Sequence, residues 1–175
     1  MTATRSKTEI YQLLANSDSY REDLEFIQAT LAQDNVFIGQ LDSDQSGNTV
    51  ASFCVTIGMY LFGLPELVFS GVPVHVVRAT VKDLCDGHDF DREFLAGGRT
   101  KLIHGLDVMA IPVNAPESHD VFSICRDIYT LIDRPKIEAV QLVFANEGGA
   151  FPWSSEYAEQ ERQFQPVLGM ASAAN

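Results

Sequence analysis

The chain has 175 residues, twelve Lys and Arg against twenty-four Asp and Glu, and a formal charge of −12. That balance argues against direct contact with nucleic acid or anionic lipid, because both are held by clustered cations. With 46% hydrophobic and 21% charged residues, it reads as an ordinary globular chain of one domain, and a domain of this size buries roughly 70% of the surface its unfolded form exposes.

The first seven residues are polar, with no apolar signal region, and the longest apolar stretch is interrupted by Gly and Pro, so neither a secretory leader nor a membrane span is expected. Residues 6–15 suit a short helix. Ser19 with Glu22 has capping-box spacing, and Tyr20, Leu24, Ile27 and Leu31 follow at the helical period, which predicts an amphipathic helix over 19–33. Val36, Ile38 and Leu41, turn residues over 42–48, and a β-rich run over 49–57 form a hairpin pattern.

Residues 66–69 suit a short strand ended by Gly71 and Pro73. Val74, Val77, Val81, Leu84 and Cys85 then mark a helix face, whose β-branched residues need packing to support them. Residues 86–101 read as a loop with a short helix or strand, and 106–113 as a strand. Asn114, Pro116 and Glu117 open a third long helix carrying Val121, Ile124, Cys125, Ile128, Leu131 and Ile132, ended by Arg134 and Pro135. Residues 137–144 are the last clear strand, and an acidic tail begins at Ser154. The expectation is an α+β single domain with a mostly antiparallel or mixed sheet of about five strands and three or four helices packed against it. Its core spans about 19–169, with 1–5 and 170–175 frayed.

Cys54, Cys85 and Cys125 are odd in number, widely spaced and set among apolar residues, as buried thiols in a reducing, cytoplasmic compartment are. Asp42, Asp44, Ser46 and Gly47 imitate the start of a calcium loop, but its twelfth position falls on Phe53 where a bidentate carboxylate is required. Asp86, His88, Asp89, Asp91 and Glu93 form an acidic run that a solvated surface explains better than a metal site. His75, His104 and His119 are scattered. There is no nucleophile elbow, phosphate-binding glycine loop or CxxC, and no metal or cofactor is expected.

The densest signal lies in two stretches that mix strand and tight-turn residues, 53–71 and 141–153. Glu66 sits between Pro65 and an apolar run, where a carboxylate is costly unless paired or protonated. Gly58 allows close backbone approach, while Gln141 offers a donor and acceptor and Trp153 a flat apolar surface. These residues, with Thr56, are the candidate ligand site, and Glu66 is the candidate acid or base.

The same stretches resemble a bacterial family called domain of unknown function 4262. The matching residues are Thr56-Ile57-Gly58, the run from Gly63 to Leu67, Gly71-Val72-Pro73, Gln141-Leu142-Val143-Phe144, Phe151-Pro152-Trp153 and Gln165-Pro166-Val167-Leu168, in that order over roughly residues 24–169. Leu64 stands where the family pattern has His, and Ala145-Asn146 where it has Pro-Asp. The resemblance implies a shared fold and no established activity. If the family is enzymatic, the departures imply a member that has lost the chemistry and kept the scaffold.

Two functions follow as expectations. The first is a binding or regulatory module that recognises a basic protein partner through its acidic surface. The second is a small-molecule-binding domain or enzyme with a pocket formed by Glu66, Thr56, Gly58, Gln141 and Trp153. Mimicry of nucleic acid is weaker, because the acids are spread along the chain.

Overall fold

A computed structural model describes residues 4–41, 52–86, 92–101, 105–134 and 136–168. In chain order the described elements are α1 (Lys7–Asn16), α2 (Asp18–Leu31), β1 (Phe37–Leu41), β2 (Phe53–Ile57), β3 (Glu66–Ser70), α3 (Val74–Cys85), α4 (Arg92–Leu95), β4 (Arg99–Lys101), β5 (Asp107–Pro112), α5 (Ser123–Leu131), β6 (Ala139–Phe144) and α6 (Glu159–Arg162). The strands form one six-stranded mixed sheet in the order β1-β2-β3-β6-β5-β4, one strand more than expected. The addition is the short β4, in the segment read as a loop with a short helix or strand.

Each neighbouring pair is antiparallel except β3 with β6, which run parallel in the register Glu66↔Ala139, Leu67↔Val140 and Val68↔Gln141. The two stretches with the densest sequence signal are therefore side by side at the centre of the sheet.

Both faces of the sheet are covered. On one face, Val77, Val81 and Leu84 of α3 with Phe94 and Leu95 of α4 pack on Cys54, Leu67, Phe69, Val140 and Leu142. On the other, Ile10 of α1, Leu24 and Ile27 of α2 and Cys125 and Ile128 of α5 pack on Val55, Ile57, Val68 and Ala139. Every residue of β3 and β6 is buried. That explains why both read as continuous apolar runs without the polar alternation of a half-exposed strand.

Local signals set the helix ends, with two shifts from expectation. The capping box is Ser6 with Glu9 at the start of α1, where the Ser6 side chain accepts from the Glu9 N–H and the Glu9 carboxylate accepts from the Ser6 N–H. The second helix is capped by Ser17, whose hydroxyl accepts from the Tyr20 N–H, and Ser19 lies inside the helix. Ser17 is extended and ends α1 as well. One residue thus turns two helical patterns against each other.

The third long helix is shorter than its pattern. Residues 116–118 and 120–122 form 3₁₀ turns, because Ala115 is left-handed and His119 extended, and α5 starts only at Ser123. Buried Arg126 reaches back to donate to the Glu117 carbonyl, meeting one of the acceptors left free by the interruption.

The described ends are held in place. Ile10, ahead of the expected core, is fully buried, and Arg5 donates to the Asp127 carboxylate of α5 at 2.6 Å. Residues 164–168 form a strap over the ends of β3 and β6. The Gln165 side chain accepts from the Phe144 N–H at 2.8 Å and donates to its carbonyl at 2.9 Å, as a neighbouring strand would. No helix among the described residues is long and apolar enough to cross a membrane.

Candidate functional site

Glu66 opens β3 and is 1% exposed. Isolating a carboxylate from water costs several kcal/mol, so its surroundings must supply donors. Four do. The Thr56 hydroxyl donates to Oε2 at 2.7 Å, the Gly58 N–H to Oε1 at 2.9 Å, the Met59 N–H to Oε2 at 3.4 Å, and the Tyr129 hydroxyl to Oε1 at 2.6 Å. Thr56 also accepts from the Leu67 N–H at 2.7 Å. The recorded β2–β3 register stops at Val55↔Val68, and one step further this side chain serves both the strand amide and the carboxylate.

The two successive amides point at Glu66 because Gly58 has φ +117° and turns the chain from β2 into a 3₁₀ turn at Met59–Phe62. The positive φ is what requires glycine here, and a β-carbon would also have to push aside the Leu31 methyl of α2, 2.5 Å away.

Burial pushes the Glu66 carboxyl above its ordinary range, against the opposing pull of the bonds from Tyr129, Thr56, Gly58 and Met59. Its neighbours respond. Burial, then the Glu66 charge and hydrogen bond, raise the Tyr129 phenol. Burial raises Cys125 well above the thiol range, with Glu66 adding to it, and burial together with Asp86 and Glu66 pushes Cys85 up to about 11. The Tyr129 phenol and both thiols are therefore held in their protonated forms at neutral pH, which suits binding better than nucleophilic attack.

From Glu66 the network runs outward through Tyr129, which is 4% exposed. Tyr60, in the 3₁₀ turn, meets the Tyr129 ring edge-on at 5.6 Å between centroids, and the Arg134 guanidinium lies over the Tyr60 ring at 4.2 Å. Tyr60, Leu64, Tyr129, Arg134 and Lys136 border a hollow of about 430 Å³. A second hollow, of about 440 Å³, shares Tyr129, Arg134 and Lys136 with it and extends to Arg5 and Lys7.

Three of the five residues singled out from sequence, Thr56, Gly58 and Glu66, are in direct contact; Gln141 and Trp153 are elsewhere. Gln141 lies two positions along β6 from Ala139, the partner of Glu66. Its amide donates to Ser70 Oγ at 3.0 Å and the Pro166 carbonyl at 2.6 Å, and accepts from the Leu168 N–H at 2.7 Å. It fastens the strap. Trp153, 38% exposed, stacks on Phe151 at 5.0 Å, with Arg99 over the Phe151 ring.

Leu64 borders the hollow as an apolar wall, whereas Asn146 closes a turn, accepting from the Gly148 and Ala150 N–H groups at 3.1 and 3.0 Å. The acid-rich run ahead of Gly47 and residues His88, Asp89, Asp91 and His104 lie outside the described residues, as does the side chain of Glu93. Asp86 pairs with Lys82.

Tyr60 and Tyr129 are not distinguished in the sequence, and Arg134 reads there only as the end of a helix. Tyr129 falls within the expected helix, and only the packing of α5 over β3 brings its hydroxyl to Glu66. A second buried carboxylate was also passed over. Asp127 accepts from Arg5 and from the Tyr20 hydroxyl, tying α5 to the start of α1 and to α2. Burial, then the bond to Asp127, raises the Tyr20 phenol.

Residues 36–158 match the model of a family described as a domain of unknown function, DUF4262. The match covers the whole sheet and the Glu66 network and begins after α1 and α2. No curated protein and no solved structure matches the chain.

Proposed function

Since the chain belongs to the DUF4262 family, whose description carries no activity, we propose its function from its own residues: a small-molecule-binding domain with its site at the hollow beside Tyr60 and Tyr129. The observation that carries this is the 2.6 Å bond from the Tyr129 hydroxyl to Glu66. It locks an aromatic wall of the hollow from behind, and a wall with fixed side chains loses little entropy when a ligand settles on it.

On this reading Glu66 is a positioning residue. It is enclosed, so it acts on a ligand through Tyr129 and the 58–59 turn. Cys54, Cys85 and Cys125, none of them disulfide-bonded among the described residues, suit work in a reducing, cytoplasmic compartment.

Titration with a small fragment set (phenol, benzamide, benzoate and malonate), followed by NMR of the aromatic rings, tests the site. The Tyr60 and Tyr129 resonances are expected to shift with at least one fragment, and Tyr60→Ala to weaken that binding about tenfold, the loss of roughly one aromatic contact. Shifts confined to Phe26 or Trp153 would overturn the proposal.

A second reading, recognition of a basic protein partner, is supported by the outward face of α2. Phe26 is 65% exposed, and Glu22, Asp23 and Glu25, all exposed, share that side of the helix. An apolar ring ringed by carboxylates fits an amphipathic, lysine-rich helix. Binding of a leucine- and lysine-containing amphipathic peptide is expected to fall about tenfold between low and physiological salt and to weaken again in Phe26→Ser. If oligolysine without leucine binds as well, the surface offers only diffuse charge.

A further inference from the structure

Resting on the small-molecule reading above, we infer that the hollow takes a small oxyanion, a carboxylate or phosphate group, gripped by Arg134 and Lys136. The local charge is the first reason. Arg5, Lys7, Arg126, Arg134 and Lys136, five of the twelve basic residues in the chain, line one concavity. The carboxylates bordering the two joined hollows are Glu117, Asp133 and Glu138. Among the lining side chains cations therefore outnumber acids five to three, or five to four with Asp127, the buried partner of Arg5, in a chain where acids are twice as numerous as cations. A surface that only kept the protein soluble would show the chain's overall balance here.

The second reason is which cations are already engaged. Arg5 donates to Asp127 at 2.6 Å, Lys7 pairs with Asp133 at 2.7 Å, and Arg126 donates to the Glu117 carbonyl. Arg134 makes no ion pair or side-chain hydrogen bond among the described residues. Its contacts are with ring faces, 4.2 Å from Tyr60 and 5.8 Å from Tyr129. Stacking uses the face of a guanidinium and leaves its N–H edges for a bidentate acceptor, which a carboxylate or a phosphate supplies. Lys136 is 3.7 Å from Glu138, with both side chains more than 70% exposed, a contact too weak and too well screened to hold the ammonium back from a ligand. Lys136 also borders a third hollow on the side of Pro65 and Pro112.

Arg134 is anchored where it is needed. Its backbone N–H donates to the Tyr129 carbonyl at 2.8 Å, and Tyr129 is fixed on Glu66. The fork is thus carried by the buried carboxylate network, although the carboxylate itself never meets the ligand. A buried carboxyl group that braces the rim from beneath gives the ligand a preorganised partner.

The test is calorimetric titration of the full chain with sodium malonate and with inorganic phosphate, against sodium chloride at matched ionic strength. Arg134→Ala, Arg134→Lys and Lys136→Ala are run beside the wild type, all at exposed positions. Saturable binding of malonate or phosphate is expected, at least tenfold weaker in Arg134→Ala and intermediate in Arg134→Lys, which keeps the charge and loses the fork. The tighter probe identifies the ligand as carboxylate or phosphate. No binding beyond the chloride control, or equal binding by Arg134→Ala, overturns the inference. If phenol still shifts the Tyr60 and Tyr129 rings in that case, the cleft survives as a site for neutral ligands; if nothing binds there, both proposals fall.

Discussion

Replacing Glu66 with alanine is expected to destabilise the domain by about 3–5 kcal/mol, as the loss of one acceptor shared by four buried donors does. The loss arises less from the missing carboxylate than from what it leaves behind. The Gly58 and Met59 amides and the Thr56 and Tyr129 hydroxyls all point at its oxygens, and each unsatisfied donor costs roughly 1–3 kcal/mol. Against a total stability of about 5–15 kcal/mol, that is a large fraction, and it is read from urea or thermal unfolding.

Glu66→Gln separates shape from charge. It fills the same space, but its amide nitrogen must face the Met59 N–H and the Thr56 hydroxyl, which already accepts from Leu67, or else the Gly58 N–H and Tyr129. A loss of about 1–3 kcal/mol is expected from this mismatch. The pH dependence carries the sharper information. Because burial raises the carboxyl above its ordinary 4.5, the folded state holds the proton more tightly than the unfolded chain. The contribution of the group is then fully present below the unfolded value and declines as pH rises through the folded one. Glutamine has no such slope. The wild type's advantage over Glu66→Gln should narrow as pH rises above the ordinary carboxyl value. An advantage that widens instead would mean that the four donors outweigh burial and hold the carboxyl below 4.5.

Gly71→Ala is the second large effect, at about 3 kcal/mol, with backbone strain and overpacking each contributing of order 1–3 kcal/mol. Gly71 has φ +65°, and a β-carbon there would stand 2.2 Å from the Phe164 carbonyl oxygen and 3.0 Å from its carbon. These are backbone atoms, so no rotamer change relieves the clash. Nor is the strap free to retreat. Gln165 holds it to Phe144, and Gln141 and Ser70 hold it at Pro166 and Leu168. A lowered urea midpoint with faster proteolytic clipping beyond Ser154 is expected. Stability within about 0.5 kcal/mol of the wild type, the range of an ordinary surface change, would show that the strap yields.

Gln141 is conspicuous in the sequence, but its role is set by distant partners. A polar side chain within an apolar strand is visible as an exception, and exceptions of that kind are either functional or hydrogen-bonded. Its partners, Ser70, Pro166 and Leu168, are 71, 25 and 27 residues away, and no periodicity reports on contacts at that range. Trp153 is similar. Its ring stacks on Phe151 two residues earlier, a local contact that uses the flat surface expected to serve as a wall for a ligand.

By itself the sequence determined most of the longer elements and the cost at Glu66. Helical period placed α2 and α3, apolar runs placed β3 and β6, and Gly58, Gly71 and a carboxylate among apolar residues marked where the chain is constrained, because turn geometry and desolvation act within a few residues. Tertiary structure alone decided what answers that cost. Tyr129 reaches Glu66 from 63 residues away, and Arg134 is brought over Tyr60 only because α5 packs on the sheet beside β3. Burial of a charge is legible wherever apolar neighbours surround it in sequence, whereas its donors are chosen by which surfaces meet when the sheet and helices close on one another.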